Sequence, residues 1–437
     1  VGFLEFFTDP VLMAPTIGCM LMCLVGAVVG TFSVLRKQAL VGEMLSHACY
    51  PGVVLALALI GSAFEAVAMA GAFLSCIAGM VLVEFLQKKY KVSSDAALCF
   101  VLASFFGIGL TVLTALQQGM PLLYKQLQSY LFGQAATMTS DHLWLYAMLS
   151  ITILLFVLIF YRLIQVTIFD PEYATVLGMN IPFAKMLLLI LTVASVCVGI
   201  RSVGVVLMSS MLIFPSVTAR FWTHKLVPLL FLSAFFGLLA GFLGVYFSHI
   251  WSVQFAVSIP TGPTIVIVSG LFFLFSCFFA PQRGLVMRLF RVILFMNRCK
   301  QENVLKALYK TGKTRFTQDE LCKIFHASKA NFHFFLCQLV RKGRIRRIPS
   351  NTYELTSSGL LWGRKIVRLH RLWEVYLVEC CGVSKDRVHP SAEEMEHIIT
   401  PEIESELEII LHHPRFDPHH QPIPPHEGLN KGQAGAL

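Results

Sequence analysis

Charge is scarce in this sequence. Only 14% of its 437 residues are Asp, Glu, Lys or Arg, against about 25% in an ordinary soluble domain. With 56% hydrophobic residues and a mean hydropathy of +0.69, this excludes a protein that is soluble throughout and points to a polytopic membrane protein. The chain also lacks a G-x-x-x-x-G-K-[ST] loop, so energy from ATP has to come from another subunit. It lacks paired C-x-x-C elements, which removes a zinc ribbon. Its 12 cysteines are scattered, several within apolar runs, and read as small buried residues rather than a disulfide framework. No nucleophile–base arrangement stands beside its His and Glu clusters, which argues against a metalloenzyme. No cleavable leader is expected, because the first apolar run is long enough to span.

The charge that is present is unevenly placed. The net charge is +10 and the pI about 9.0. Up to about residue 285 the few charges are mostly Lys and Arg between apolar runs; beyond it Lys, Arg, Glu and His are dense. A spanning helix needs roughly 20 apolar residues. Runs of about that size lie at 11–35, 45–60, 63–86, 95–117, 143–161, 184–200, 203–221, 226–248 and 263–280, with 45–60 the shortest. If all cross, Arg36–Lys37, Lys88–Lys91, Arg162, Arg220–Lys225 and Arg283–Arg288 share one side, the cytoplasmic one by the positive-inside rule. The amino terminus is then outside and the tail inside. Lys125 and Arg201 fall on the outer side.

Within the apolar part, Gly42-Glu43-Met44-Leu45-Ser46-His47-Ala48-Cys49-Tyr50-Pro51-Gly52 stands out. On a helix, Glu43 and His47 share a face one turn apart, and a carboxylate with an imidazole suits manganese, iron or zinc. An acidic residue at such a depth is a functional candidate by default. The plainer alternative keeps Glu43 at the headgroups and His47 on a neighbouring helix. Pro51 and Gly52 predict a broken or kinked helix. Residues 118–142 are too polar to span and predict an outer loop or re-entrant piece. Asp170-Pro171-Glu172 through Gly178 predicts a short helix, capped by Asp170, started by Pro171 and ended by Gly178. It is either a docking element for a motor protein or an amphipathic connector. Ser209, Ser210 and Thr264 line either a polar path or packing contacts.

The tail carries its own signals. Residues 283–300 predict a basic linker or a surface-lying helix. A helix at 301–312 follows, then Thr317-Gln318-Asp319-Glu320, a capping box. Two helices around Ala327–Ser328 suggest helix-turn-helix, and Arg344–Leu355 alternates like a wing. Ser328, Lys329, Asn331, His333, Arg344, Arg346 and Arg347 are the candidate DNA contacts, with a protein-contact winged helix as the other reading. Phe332, Phe334 and Phe335 stand where base-reading polar groups belong. Farther on, His370 and Glu374 are one turn apart, and His389, Glu393, Glu396 and His397 follow on a second helix. These either bind manganese, iron or zinc or form a solvated face. The His-rich end (His412, His413, His419, His420, His426) predicts disorder with weak metal affinity.

Two resemblances rest on these residues. Gly42…Ser46-His47-Ala48…Pro51-Gly52, Asp170…Gly178, Gly204…Pro215…Ala219-Arg220, Pro260-Thr261-Gly262-Pro263-Thr264 and Phe279-Ala280-Pro281-Gln282-Arg283-Gly284 resemble the zinc/manganese/iron class of ABC-importer permeases. The resemblance implies a transport site at Glu43 and His47, with Glu in place of the usual Asp, and coupling to an ATPase through Asp170, Glu172 and Gly178. It also implies an ATP-binding subunit, a periplasmic metal-binding protein and a second permease subunit, identical or related. From about 300 to 425 the tail resembles metal-dependent repressors of the diphtheria-toxin-repressor family, through His370-Arg371-Leu372-Trp373-Glu374, Val388-His389…Glu393…Glu396-His397 and His413-Pro414…Pro422-Ile423-Pro424. This implies an ancillary site at His370, Glu374 and His389 and a primary site at Glu393, Glu396 and His397, with Asn303 as a weak further ligand.

The expected architecture is an all-α polytopic membrane domain of about 8–9 transmembrane helices (1–285), a basic linker (286–300), a winged helix-turn-helix (301–356), metal-binding and dimerisation helices (357–425) and a disordered end (426–437). The expected function is a divalent-metal permease of a bacterial inner-membrane ABC importer with a cytoplasmic metal-responsive domain. Divalent metal is both cargo and regulatory ligand, and ATP acts only through a partner. The alternative is a membrane-tethered metal-dependent repressor that does not transport, released by proteolysis near 283–300.

Overall fold

The computed structural model describes residues 5–425 except 61–64, 134, 136–137, 318, 321–328 and 350–351. The chain packs as two units, Val1–Arg288 and Leu289–Leu437.

The first unit is helical. A short α1 (Glu5–Thr8) leads into α2 (Pro10–Leu35), followed by α3 (Ala39–Ile60), α4 (Glu65–Tyr90) and α5 (Ser94–Gly119). Then come α6 (Pro121–Phe132), α7 (Ser140–Ile159), α8 (Tyr161–Phe169), α9 (Pro171–Val176), α10 (Ile181–Val203), α11 (Val205–Arg220), α12 (Leu226–Phe255) and α13 (Thr261–Phe279). Eight of these are long and apolar enough to cross a bilayer. The remaining apolar run, 203–221, became α11, whose 16 residues rise only about 24 Å. Its neighbours show that it still runs alongside α13 from end to end. At one end a Cβ on Gly262 would sit 2.3 Å from the Val203 carbonyl oxygen. At the other, Trp222 Nε1 donates to Ser276 Oγ at 2.8 Å, and Arg283 Nη2 lies 3.3 Å from His224 Nδ1. The chain can reverse so tightly between α10 and α11 because Gly204 adopts φ +91°, closed to L side chains.

Three sequence expectations change here. The second span does not start at 45 but at Ala39, so Glu43 and His47 lie inside the helix, in its first turns. Of the broken or kinked helix expected at Pro51, the break is excluded: α3 continues through Pro51 to Ile60, with Ser75 Oγ of α4 donating to the Ala48 carbonyl at 2.6 Å. And the polar stretch after α5 holds α6, whose Leu123, Leu127, Tyr130 and Leu131 are buried; Tyr50 of α3 donates to the Leu127 carbonyl at 3.3 Å.

A polar knot fastens α2, α11 and α12. Thr31 Oγ1, Ser216 Oγ and Ser233 Oγ converge on the Ala27 carbonyl oxygen, at 2.8, 3.1 and 2.9 Å. Thr31 also reaches Ser216 at 3.1 Å and Ser233 at 3.0 Å. Inside lipid such bonds contribute modestly, because the separated helices also find partners. Thr31→Val is therefore expected to cost about 1 kcal/mol, read as a small drop in the thermal midpoint of detergent-solubilised protein.

The second unit begins in α14 (Leu285–Thr311). The stretch expected as a basic linker is thus helical, with its large apolar side chains from Leu285 to Met296 exposed. After β1 (Arg315–Thr317), Thr317 and Glu320 form the expected capping box: Glu320 Oε2 accepts from Thr317 N at 3.0 Å, and Thr317 Oγ1 from Glu320 N at 3.3 Å. Ser328 lies outside the described residues. Helix α15 (Lys329–Arg341) and the hairpin β2 (Ile345–Ile348) and β3 (Thr352–Leu355) complete a small winged helix. Its antiparallel sheet has the order β1-β3-β2, with Phe316 opposite Tyr353 and Ile345 opposite Leu355. Val304, Leu305 and Leu308 of α14 pack with Phe316, Leu336, Leu339, Ile345 and Tyr353. Helices α16 (Ser357–Glu379), α17 (Val388–Met395) and α18 (Pro401–Ile410) follow.

Candidate metal centres

In the first unit, Glu43 and His47 share one face of α3, and both are half-buried. The His47 ring meets Phe106 of α5 edge-on, centroids 4.8 Å apart. Its Nδ1 is buried with no hydrogen-bond partner among the described residues. A buried polar atom left unpaired is costly, and a cation bound next to Glu43 would supply what it lacks.

The short helix α9 is built as its sequence predicts. Asp170 Oδ1 accepts from Tyr173 N at 2.9 Å, Pro171 occupies the first position, and Gly178 closes the turn at φ +71°. Glu172 and Gly178 are exposed. So are Tyr173, Val176 and Leu177, with Val176 at 84%. A capped helix with apolar side chains held in solvent is a surface ready for a partner.

In the second unit, α16 carries His370 and Glu374, and α17 brings His389 to them. Glu374 Oε1 lies 3.1 Å from His370 Nε2 and 2.5 Å from His389 Nδ1. One donor atom from each of the three fits within 4.8 Å of the others. Burial alone would lower His370 in pKa, but its contacts with Glu374 and Glu396 outweigh this and raise it. Burial would raise Glu374; the bond to His370 and the nearby charges of His370 and His389 hold it below the usual carboxylate range. A divalent ion between this oxygen and the two imidazoles would take the place of the protons now held among them.

The other predicted ligands are placed differently. Glu396 and His397 are brought together with Glu302 and Lys306 of α14, whereas Glu393 and Asn303 are exposed. Sequence reasoning fixed on Asn303 and passed over its neighbours. The i, i+4 pair Glu302–Lys306 was the available signal, and both side chains are buried.

The His-rich end is not disordered over 411–425. Leu411, Asp417 and Ile423 are buried, and Phe416 bridges Pro422. Arg371 Nε pairs with Asp417 Oδ2 at 3.3 Å. Arg364, Arg368 and Arg371 of α16 donate to the carbonyls of Pro425, Pro424 and Pro422. The fold stacks His419 on His389, centroids 4.8 Å apart, so a histidine that the sequence assigned to a disordered end neighbours the candidate metal trio. His426 lies outside the described residues.

The candidate DNA contacts divide as well. His333, Arg346 and Arg347 are exposed. Arg344 instead lies over the Trp362 ring at 4.0 Å, half-buried, its pKa lowered by that burial. Lys329 and Asn331 belong to α15.

Long apolar helices around an acid–imidazole pair, followed by a winged-helix unit with clustered His and Glu, define a multi-pass metal permease with a repressor-like tail. The chain belongs to the ABC 3 transport family, whose model matches residues 8–280. Residues 356–425 match the iron dependent repressor, metal binding and dimerisation domain. A "probable metal transport system membrane protein" of Chlamydia trachomatis serovar D is 34% identical over 444 residues, covering 96% of this chain and 97% of the relative. The manganese transport system membrane protein MntC of Bacillus subtilis strain 168 is 32% identical over 380 residues, 85% of each chain. Among solved structures, PsaBC from Streptococcus pneumoniae in complex with Fab matches 64% of this chain and 96% of its own, with 27% identity and a TM-score of 0.57.

Proposed function

We propose that this permease imports a divalent metal ion, manganese, iron or zinc, into the bacterial cytoplasm, and that its second unit responds to the same class of ion. The observation that carries the reading is the unpartnered, buried His47 Nδ1 one turn from Glu43 within a helix of an ABC 3 family chain. Glu43 offsets the charge of the ion, which could not otherwise shed its water at this depth. His47 adds a nitrogen donor that favours transition metals over calcium or magnesium. A periplasmic metal-binding protein delivers the ion, and a second permease subunit completes the path. A separate ATP-binding subunit docks on Asp170, Glu172 and the exposed face of α9, as capped surface helices allow. The basic residues at Arg220–Lys225 and Arg283 lie together at one end of α11 and α13. By the positive-inside rule this end, and the second unit after it, faces the cytoplasm of the inner membrane.

The test is ATP-driven uptake by vesicles holding the chain and its cognate ATPase, with manganese, iron and zinc offered separately. Accumulation of at least one is expected, and none of any would reject transport. A second reading, a tethered repressor without transport, is favoured by the exposed Arg346 and Arg347 of the wing. Its DNA contacts would be His333, Arg346 and Arg347, with Lys329 and Asn331 at the start of α15. Release by proteolysis within 283–300 requires α14 to unwind first, since a protease needs extended backbone and residues 285–311 are helical.

A further inference from the structure

Four groups meet where the sequence predicted a second ion. Glu396, 2% exposed, and Lys306, 7% exposed, form a buried pair: Lys306 Nζ donates to Glu396 Oε1 at 2.9 Å and to Oε2 at 2.6 Å. Both carboxylate oxygens are thereby engaged. His397 points its Nδ1 away, 2.8 Å from Glu302 Oε2, and Arg298 Nε holds the other Glu302 oxygen at 2.9 Å. His397 Nε2 is 3.7 Å from Glu396 Oε1 and buried with no hydrogen-bond partner. The remaining two expected ligands, Glu393 and Asn303, face solvent. The Glu393, Glu396 and His397 set therefore does not fit a divalent ion as the His370, Glu374 and His389 trio does. An incoming ion would share Glu396 with an ammonium that already holds both its oxygens, a repulsion that burial makes stronger.

The same carboxylate has a second bond. Glu396 Oε2 is 2.6 Å from His370 Nδ1. With the ring proton on Nδ1 and donated to Glu396, His370 turns the Nε2 lone pair towards Glu374 and His389. A carboxylate behind a ligand histidine is the usual outer support of a metal site. A buried ion pair contributes little net stability by itself, so stability alone is a poor reason to keep Lys306 here.

We infer that the Lys306 ammonium is a resident cation standing in for an ion between Glu396 and His397. The second unit then takes one divalent ion, at His370, Glu374 and His389, and Glu396 acts as the outer carboxylate of His370. Lys306 neutralises Glu396 and also lies 3.1 Å from His370 Nδ1, which leaves the Nε2 side of the ring, 3.1 Å from Glu374, for the ion. The module is set by its own sequence to respond to one bound ion instead of two. This rests on the reading of the second unit as a metal-responsive module.

The test counts ions on the full-length chain purified in detergent, in a Glu43→Ala/His47→Ala background that silences the transport site. After equilibration with manganese alone and removal of free ion, elemental analysis gives ions per chain. The expected count is one, and adding Lys306→Met, which frees Glu396 and the buried His397 Nε2, raises it to two. Lys306→Arg keeps the charge and is expected to hold the count at one. Two ions before Lys306 is changed, or one ion after Lys306→Met, overturns the inference while leaving the metal module standing. No ion at all overturns both. Should Lys306→Met not yield monodisperse protein, the background count decides, with one supporting the inference and two overturning it.

Discussion

Vesicles carrying Glu43→Ala together with His47→Ala are expected to take up no more metal than vesicles without permease, although the protein folds and inserts normally. The two halves of this expectation have separate causes. Uptake fails because a divalent ion crossing α3 loses both its countercharge and its nitrogen donor, and nothing else on that face of the helix replaces them. Folding survives because His47 contributes to helix packing chiefly through an edge-on ring contact with Phe106, worth about 0.5–1.5 kcal/mol. His47 Nδ1 has no hydrogen-bond partner among the described residues, so removing it breaks no bond to Nδ1. Deleting an unpaired buried polar atom relieves a penalty of about 1–3 kcal/mol, which offsets the lost ring contact, and the thermal midpoint should hold. Glu43→Gln alone separates charge from shape: it keeps the volume of the side chain and should still lose most uptake. Uptake that persists at the normal rate in the double variant, measured with equal amounts of permease in the membrane, would remove Glu43 and His47 from the path.

Gly52→Leu should have the opposite signature, loss of the folded protein itself. Helices α3 and α4 touch backbone to backbone there. A Cβ at Gly52 would lie 2.0 Å from the Gly71 carbonyl oxygen, and one at Gly71 2.4 Å from that of Gly52. Close approach through small residues is the main source of helix association in lipid. A leucine pushes the pair apart and strips the dispersion contacts on both sides, costing about 3 kcal/mol or more. The matched control is Gly107→Leu, where a Cβ meets nothing within 4 Å. Detergent extracts of the first variant should show little monodisperse protein by size exclusion, and those of the second a normal peak. Equal peaks would contradict the packing account.

The membrane helices were legible because apolar length is a local property that lipid imposes on each segment. Asp170, Pro171 and Gly178 were equally legible, since caps act within one turn. The start of α3 was not: Gln38 and Glu43 made 39–44 look like a polar approach, and only packing against α4 and α5 shows that they are helix. Leu123, Leu127 and Leu131 of α6 had helical spacing, but the polar residues among them hid it. In the tail, spacing and resemblance together picked out His370, Glu374 and His389. Lys306 showed only in its i, i+4 spacing to Glu302; its partner Glu396 lies 90 residues away in sequence, and a lysine is not in any ligand pattern. The ordering of 411–425 was missed for a different reason. Its composition of His and Pro reads as disorder, while the groups that hold it are main-chain carbonyls, which every sequence has.

That fastening has a consequence for which changes the tail can absorb. Arg364, Arg368 and Arg371 grip Pro425, Pro424 and Pro422 by their carbonyl oxygens, so the clasp reads the trace of the main chain and is nearly blind to the side chains along it. Proline suits such a strand because its ring fixes the extended path and leaves its carbonyl free to accept. Evolution can therefore redraft residues 422, 424 and 425 widely, provided the path stays extended, but has little freedom at Ile423, buried with Leu372, Val375 and Leu411, or at the three guanidinium positions. Those positions lie on the same helix as His370 and Glu374, so drift in the strap need not disturb the ion ligands, whereas drift in its anchors would.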